Sequence, residues 1–486
     1  MTDVLRSLDE SLPGQYSRDF MRANGAVKRG ETDAAVSVVI TPDCSERTRD
    51  FLNEFHSPKT VEFVEVSRQE FASFIGARSA REVAVPTTRD KKNGLEIDTV
   101  AKDAPVVNII NAICIDAIAR NSSDIHIESL RDSIRIRYRI DGHLVTVKTI
   151  DRSLFAQVSS RLKVMANLNI MEQRLPQDGR MTVSIGGETI DIRVSTMPIT
   201  WGESIVLRLF DSRGTILTLE NLGFLNDELR KITECLKWQT GLILATGPTG
   251  SGKTTTLHAL LNLLNTEDRN IVALEDPVEQ VIDGVNQVQI NEEIGVSFGS
   301  MLRRVLRQDP NTIMVGEIRD SETADLALRS SLSGHLILST LHTNDAISVV
   351  SRLRNMGVEP YLVSAVLRCS VAQRLVRRAC PHCSKEVRPR DAEKRILERS
   401  GLSPSRVKEA VGCDRCERTG YSGRIVVEEV LVVDDTLRSM IETGAKESDL
   451  RRHARTIMNS MARNALAKIA DGITTFAEVE REVNLA

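Results

Sequence analysis

The pattern of apolar and polar residues divides the chain into regions of different character. Two short apolar strands and two mixed helical segments are predicted near the N-terminus, at residues 34–40, 61–66, 47–55 and 69–77. This pattern predicts a small α/β module over residues 1–84. Residues 85–96 are polar, charged and interrupted by Pro and Gly, and they predict a linker.

Residues 97–225 combine a helical period with several alternating strands. Apolar residues recur at helical spacing from Val106 to Ala119, whereas Ile134 to Ile140 alternates strictly and ends at the turn Asp141-Gly142. A further helix and four further strands are predicted at residues 154–165, 143–150, 181–185, 189–194 and 204–209. An α+β domain with an antiparallel sheet is therefore predicted.

From residue 226 onward, short apolar strands alternate with turns and helices. The predicted strands are residues 242–246, 271–275, 312–316 and 336–340. Such alternation is typical of a mostly parallel sheet with helices on both faces, which we assign to residues 226–378. Residues 379–424 contain clustered cysteines, and residues 425–486 are predicted to form a helical region.

The composition restricts the class of protein. The 64 basic and 67 acidic residues leave a formal net charge of −3, and aromatic residues make up 3%. Both values argue against a general nucleic-acid-binding surface. No apolar run reaches the roughly 20 residues that span a bilayer, and the first residues have no apolar signal-peptide core. We therefore expect a cytoplasmic protein.

A phosphate-binding loop is predicted at residues 247–256, GPTGSGKTTT, between a strand and a helix. The segment satisfies the pattern G-x-x-x-x-G-K-[ST] in the structural context that this pattern requires. Its glycines allow backbone N–H groups to surround phosphates, Lys253 can reach the β and γ phosphates of ATP, and the Thr254 hydroxyl can bind Mg²⁺. The predicted ATP-binding residues are Gly247, Pro248, Thr249, Gly250, Ser251, Gly252, Lys253, Thr254 and Thr255.

Further motifs follow the loop in a fixed order. They are IVALEDPVE (271–279), RQDPNTIMVGEIRDSETA (307–324) and SGHLILSTLHTNDA (333–346). With the loop they resemble the Asp box, Walker B box and His box of the secretion ATPase family, which includes type II secretion and type IV pilus assembly motors. The resemblance extends upstream through SSDIHIE, RYRIDG, RLPQDGR and DIRVSTMP, and downstream through CPHC, CDRC and GYSGR.

This resemblance implies a PAS-like domain, a flexible joint and a RecA-like ATPase domain, with ATP held between the two domains of a homohexameric ring. It also implies a cytoplasmic motor that uses ATP and Mg²⁺ to assemble a pilus or a secretion pseudopilus. The expected partners are an inner-membrane platform protein and the basal components of the pilus or secretion system.

Two carboxylates end neighbouring apolar strands, where ligands bind in parallel sheets. Gly316 occupies the position at which many ATPases carry a magnesium-binding aspartate. The resemblance assigns Glu275 as the base that activates water and Glu317 as the residue on the Mg²⁺ side, and the reverse assignment remains open. His342 matches the family position that senses the γ-phosphate, whereas His335 is interpreted as structural.

Phosphoryl transfer also needs positive charge against the γ-phosphate. Arg174, Arg180, Arg193 and Arg208 lie in the predicted PAS-like domain, whose closure would bring them towards the nucleotide. We favour Arg180 and Arg193 as catalytic residues. The alternative is that these arginines only pair with surface acids.

Four of the eight cysteines are clustered in two C-x-x-C pairs. Cys380 and Cys383 form the first pair, and Cys413 and Cys416 form the second after a gap of 29 residues. Four thiolates at this spacing predict a closed, structural Zn²⁺ site, and a disulfide or redox pair is the alternative. In the family that the chain resembles, assembly and secretion motors commonly carry such an insert, whereas retraction motors generally lack it.

Two other functions remain open from the sequence. One is a RecA-like DNA translocase of a conjugation system, which DNA-stimulated ATP hydrolysis would support, although no direct nucleic-acid partner is predicted. The other is an ATP-gated scaffold that hydrolyses little ATP. The sequence also leaves open whether the physiological output is pilus extension or type II secretion.

Overall fold

The computed structural model describes residues 26–32, 34–42, 44–56, 59–68, 71, 106–185, 188–210 and 218–485. The chain divides into two compact units, Met1–Glu96 and Ile97–Ala486. The predicted linker 85–96 lies outside the described residues, as does the predicted helix 69–77 apart from Phe71.

The described part of the first unit is a small sheet with one helix. Its elements are β1 (Ala26–Glu31), β2 (Ala35–Ile40), α1 (Glu46–His56) and β3 (Thr60–Glu65). Strand β2 is central, antiparallel to β1 and parallel to β3, with α1 in the connection between the two parallel strands. The sequence pattern predicted β2, α1 and β3 but not β1, because AVKRGE has too few apolar residues to show a strand period.

Residues 106–210 form an antiparallel sheet that packs on two helices. The described strands have the order β6-β5-β4-β9-β8-β7. They are β4 (Ser122–Ser129), β5 (Ser133–Ile140), β6 (His143–Asp151), β7 (Gln177–Ile185), β8 (Glu188–Ile199) and β9 (Gly202–Phe210). Alternate residues of β5 are buried beside α2 (Val106–Ala119) and α3 (Phe155–Met165). The predicted α+β domain with an antiparallel sheet is confirmed.

The next region is a sheet whose described strands have the order β12-β11-β13-β14-β10-β15-β18. All neighbouring strands are parallel except β15 and β18. The strands are β10 (Gly241–Thr246), β11 (Ile271–Glu275), β12 (Asn286–Gln289), β13 (Thr312–Val315), β14 (Leu336–Leu341), β15 (Leu367–Ala379) and β18 (Tyr421–Val432). Strands β10, β11, β13 and β14 are buried throughout, which explains their continuous apolar sequences.

Helices cover both faces of this sheet and bury two separate apolar clusters. On one face lie α4 (Leu219–Leu222), α5 (Asn226–Leu236) and α6 (Lys253–Leu264). On the other face lie α7 (Phe298–Val305), α8 (Ser321–Leu332), α9 (Ser348–Asn355) and α10 (Pro360–Val366), followed later in the chain by α12 (Asp435–Glu442) and α13 (Glu447–Ile457). The predicted mostly parallel sheet with two helical layers is confirmed.

The cysteine-rich segment leaves the sheet at β15 and returns to it at β18. It contains β16 (Lys385–Val387), α11 (Asp391–Arg399) and β17 (Val407–Glu409), and β16 and β17 form a small antiparallel pair. The region 425–486, expected to be helical, begins with most of β18, whose β-branched residues extend the main sheet beside β15. After α12 and α13 the chain ends with α14 (Met461–Ala470) and α15 (Phe476–Glu482). In the described ranges, no helix combines the length and apolar character needed to cross a membrane.

Candidate nucleotide site and cysteine cluster

The phosphate loop joins the buried strand β10 to helix α6. Gly247 has a φ of 144°, and a Cβ atom there would lie 2.4 Å from the carbonyl oxygen of Gln373 on β15. Gly252 has a φ of 86° directly before α6, in the left-handed region that favours glycine. The loop therefore has the strand, loop and helix context that the sequence predicted, and two of its positions require glycine.

The polar groups of this loop suit an anionic ligand. Ser251 Oγ is buried without a hydrogen-bond partner, and Lys253 Nζ donates to the carbonyl oxygens of Gly247 and Pro248, both at 3.0 Å. Burial lowers the pKa of Lys253, and the carboxylate of Glu317 acts in the opposite direction. An unsatisfied hydroxyl and an ammonium that contacts only carbonyl groups within the loop fit a phosphate.

Glu317 and His342 lie together where β13 and β14 end. His342 Nε2 is 3.7 Å from Glu317 Oε2, and Arg319 forms an ion pair with Glu317. Burial and the charge of Lys253 lower the pKa of His342, while Glu317 opposes this shift. The neutral imidazole is therefore favoured at neutral pH. Lys253, Glu317 and His342 form a group that we call the phosphate edge.

The segment that carries His342 is bonded to the last residue before the phosphate loop. Thr343 N donates to Thr246 Oγ1 at 2.9 Å, and the two threonine hydroxyls are 2.7 Å apart. Thr246 is fully buried. The position of His342 is thereby coupled to that of the loop. Sequence reasoning did not identify Thr246, although a hydroxyl residue that ends a buried apolar strand is a usable signal.

Close packing against β11 explains why residue 316 is glycine. Gly316 N donates to the carbonyl oxygen of Leu274 at 2.8 Å. A Cβ atom at this position would lie 3.0 Å from that oxygen and 3.6 Å from Glu275 Cα. An aspartate here would crowd the neighbouring strand, so the carboxylate is carried by the next residue, Glu317.

Glu275 is buried and both of its carboxylate oxygens have partners. His258 Nε2 lies 2.9 Å from Oε2, and Gln287 Nε2 donates to Oε1 at 2.8 Å. The Glu275 side chain is 3% exposed, whereas the Glu317 side chain is 20% exposed. The sequence did not identify His258 or Gln287 as partners of Glu275, because no motif assigns either residue a role. The two glutamates predicted to share the chemistry thus have different surroundings.

Three arginines form a row across the antiparallel sheet. Arg180 pairs in register with Arg193, and Arg193 pairs with Arg208, on the adjacent strands β7, β8 and β9. Arg208 Nε donates to Asp124 Oδ1 at 2.9 Å, and Arg193 stacks on Phe210 with its guanidinium carbon 4.9 Å from the ring centre. The sheet therefore holds Arg180 and Arg193 as immediate neighbours.

The electrostatic surroundings of Arg193 connect this row to the parallel sheet. Burial and the charge of Arg180 lower the pKa of Arg193, while Asp276 and Glu279, which follow β11, partly offset this effect. Arg193 is therefore within electrostatic reach of the segment that begins directly after Glu275. Arg174, the fourth arginine considered from the sequence, lies outside this row, and its side chain is 91% exposed.

The four clustered cysteines converge on one point. Their Sγ atoms all lie within 4.8 Å of one another, and Cys416 Sγ is 3.7 Å from both Cys383 Sγ and Cys413 Sγ. Tetrahedral Zn²⁺ with Zn–S bonds of about 2.3 Å requires S···S distances of about 3.8 Å. The arrangement therefore fits Zn²⁺ held by four thiolates.

Backbone groups around the cluster favour thiolates. Gly412 N lies 3.3 Å from Cys383 Sγ, and Cys413 N and Gly420 N each lie 3.2 Å from Cys416 Sγ. Burial raises the pKa of Cys416, but these two N–H donors and the neighbouring thiols lower it by more, whereas burial and the neighbouring thiols raise the pKa of Cys383 against the Gly412 N–H. Of these two thiols, Cys416 is the more readily ionised. Such N–H···S contacts satisfy sulfur charge in structural metal sites.

Residues that follow the cysteine cluster contact the antiparallel domain at two points. Glu417, the residue after Cys416, accepts a hydrogen bond from Arg120 Nη1 at 2.8 Å, in the turn between α2 and β4. Gly423 N, on β18, donates to Asp141 Oδ2 at 2.8 Å, in the hairpin turn between β5 and β6.

Comparisons with known proteins agree with this architecture. The family model described as "Type II/IV secretion system protein" matches residues 99–481. A type II secretion system protein E of Pseudomonas aeruginosa is 46% identical over 379 residues, covering 78% of this chain and 76% of that protein. The type IV pilus assembly ATPase PilB of Myxococcus xanthus is 45% identical over 400 residues, covering 81% of this chain and 70% of that protein.

Two solved structures share the fold at low sequence identity. The Legionella pneumophila ATPase DotB aligns with a TM-score of 0.57 and 20% identity, covering 77% of this chain and 95% of that chain. The pilus retraction motor PilT aligns with a TM-score of 0.52 and 24% identity, covering 76% of this chain and 95% of that chain. At these identities the likeness supports the fold and leaves function to the residues of the site.

Proposed function

Because the chain belongs to the type II/IV secretion system protein family, we propose that it is an ATPase whose hydrolysis of ATP powers assembly of a type IV pilus or a type II secretion pseudopilus. The observation that carries this proposal is the phosphate edge, where Glu317 and His342 approach to 3.7 Å and both lie within electrostatic reach of Lys253 in the phosphate loop. Relatives of both the secretion and the pilus type support either output.

The residues of the site suggest a division of labour. Lys253 and the loop backbone bind the β and γ phosphates, and Thr254 with Glu317 holds Mg²⁺, which supplies charge neutralisation when bound. Glu275 accepts the proton of the attacking water. His342 responds to the γ-phosphate, and Arg180 and Arg193 place positive charge near it. The electrostatic reach between Arg193 and Asp276 supports the arginine assignment.

The remaining parts of the proposal concern assembly. The four cysteines bind a structural Zn²⁺, and this insert favours an assembly motor over a retraction motor. The chain acts as a cytoplasmic homohexamer, and it engages an inner-membrane platform protein and the basal components of the pilus or secretion system. Its contact with the membrane is made through these partners.

Turnover of ATP by the purified protein tests the enzymatic part. We expect Mg²⁺-dependent hydrolysis that Glu275→Gln lowers at least about 100-fold, because a general base contributes about 10²–10⁴-fold. Binding of ATP remains in this variant. The matched control is Glu322→Gln, which removes one charge from an exposed ion pair with Arg303. Full activity of Glu275→Gln contradicts the assignment of the base.

Two further measurements separate the competing functions. Strong stimulation of hydrolysis by DNA supports a translocase instead, and negligible turnover of the hexamer supports an ATP-gated scaffold.

The genes beside the gene for this chain test the biological assignment. Neighbouring genes for pilin-like proteins and a membrane platform protein are expected, and their identity distinguishes a pilus from a secretion system.

A further inference from the structure

Helix α6 carries a buried histidine in addition to the lysine of the phosphate loop. The helix begins at Lys253, and His258 follows five residues later with 2% of its surface exposed. His258 Nε2 lies 2.9 Å from Glu275 Oε2. A carboxylate only accepts hydrogen bonds, so Nε2 carries the proton and donates it to this contact. The helix that binds phosphate thus also holds the proposed base.

The other oxygen of Glu275 is held by a side chain that is itself fixed. Gln287 Nε2 donates to Glu275 Oε1 and to the carbonyl oxygen of Gln280, both at 2.8 Å. Gln287 Oε1 accepts from Ile282 N at 2.7 Å. Rotation of the carboxylate therefore breaks at least one hydrogen bond. Two directional partners on opposite oxygens leave Glu275 with one favoured orientation.

We propose that His258 is a positioning residue for ATP hydrolysis, which fixes the Glu275 carboxylate relative to the phosphate loop. The inference rests on the proposed role of Glu275 as the base. Five residues of α-helix span only about 7.5 Å, so Lys253 and His258 belong to one rigid element. The phosphate position and the base position are consequently set by the same helix.

The energetic argument follows from burial. A buried carboxylate that loses one donor is left partly unsatisfied and turns towards another partner. A misplacement of a catalytic group by about 1 Å costs about 100-fold in rate. The effect falls on the chemical step, because His258 contacts Glu275 and the loop backbone that binds ATP does not depend on the imidazole.

Two substitutions at this position separate the hydrogen bond from packing. His258→Phe keeps a ring of similar size but removes the donor, and we expect kcat to fall about 10- to 100-fold with KM within about twofold. His258→Gln places an amide donor near the position of Nε2, and we expect kcat to recover to within about threefold of the parent. Equal losses of kcat in both variants would show that ring packing, not donation, is responsible and would overturn the proposal.

A double substitution tests whether His258 acts through Glu275. In a Glu275→Gln background, His258→Phe is expected to add no further loss of kcat. The matched control is His335→Gln, directly before β14, where His335 Nδ1 lies 2.9 Å from the carbonyl oxygen of Ser330. The kcat of this control is expected to be unchanged.

The failure of this inference is distinguishable from failure of the proposed function. If Glu275→Gln is inactive and His258→Phe is as active as the parent, Glu275 remains the base and the inference about His258 is wrong. If Glu275→Gln itself retains full activity, the role proposed for Glu275 is wrong, and the inference falls with it.

Discussion

The phosphate edge and the cysteine cluster are both built from a few polar side chains, but different forces hold them. Strands β10, β13 and β14, which lead to the phosphate edge, are buried throughout and anchored by apolar residues on both faces. The cysteines lie in loops beside β16 and β17, which have three residues each. Packing therefore positions the first site. The cysteine-rich segment also packs, through Leu397 and Val407, but the Zn²⁺ proposed for its thiolates would add a second force that holds its loops together.

This difference predicts how each site responds to loss of its ligand. Strand ends in a packed sheet keep their geometry without nucleotide, because core burial does not involve the ligand. In the proposed Zn²⁺ site the cation would offset the mutual repulsion of four thiolates within 4.8 Å of one another, so we expect its removal to loosen the cysteine-rich segment. We consequently expect loss of structure from variants of the cysteine cluster and loss of activity without loss of structure from variants of the phosphate edge.

Loss of zinc is expected to have the largest effect on structure. In Cys413→Ser/Cys416→Ser we expect loss of bound Zn²⁺ and of hydrogen-exchange protection over residues 380–420, since a structural Zn²⁺ contributes on the order of 10–16 kcal/mol to folding of a small module. Strands β10, β13 and β14 are expected to stay protected, with ATP affinity within about threefold of the parent. Chelator treatment of the parent serves as the matched condition. Unchanged protection after zinc loss would mean that packing alone holds the cluster.

Removal of the loop lysine, Lys253, is expected to lower activity and leave the fold intact, which is the opposite of the effect of zinc loss. Lys253→Ala should lower kcat by about 10²–10³-fold, because a preorganised positive group is lost from the transition state. The melting temperature is expected to change little, since Lys253 contacts only two carbonyl oxygens of its own loop. Thermal unfolding and turnover are measured on the same preparations. A large fall in melting temperature would show that this site also depends on its polar groups for folding.

The same difference explains what the sequence could predict. Buried strands and the glycine-rich loop have patterns set by local geometry, so β10, β11, β13 and β14 were located to within one residue at each end. The cysteine spacing indicated the cluster because metal geometry restricts the spacing of ligands. Strand β1 was missed because AVKRGE has too few apolar residues to show a strand period. Most of β18 was assigned to a helical region, because its partner β15 lies far away in the sequence.

Contacts inside the candidate site were less predictable. The donors on Glu275 come from α6 and β12, and no local pattern indicates that His258 and Gln287 approach the same carboxylate. Sequence reasoning favoured Arg180 and Arg193 among four arginines but could not show how they are arranged. The register of three strands places Arg193 between Arg180 and Arg208, a fact that depends on long-range pairing.

The arginine row tests whether the phosphate edge acts alone. We expect Arg193→Gln to lower kcat about tenfold or more, because the charge of Arg193 interacts with Asp276 and Glu279, which follow β11, the strand that ends at the proposed base. Arg208→Gln is the matched control, since Arg208 is held by Asp124 on its own sheet, and its kcat is expected within about threefold of the parent. Steady-state turnover distinguishes the two. Equal losses of kcat in the two variants would show that the positive charge of the whole row, and not Arg193 in particular, supports hydrolysis.

Substitution of Gly316 is expected to have the smallest effect, and it tests the role of packing at the phosphate edge directly. A Cβ atom at this residue meets the Leu274 carbonyl oxygen at 3.0 Å, within the central part of the sheet. Gly316→Asp is expected to reduce the free energy of unfolding by about 1–3 kcal/mol through overpacking, with a smaller loss in Gly316→Ala. Denaturant unfolding measures both. If Gly316→Asp instead leaves stability unchanged and binds Mg²⁺ as tightly as the parent, packing does not explain why the carboxylate is carried by Glu317, and the proposed contrast with the cysteine cluster weakens.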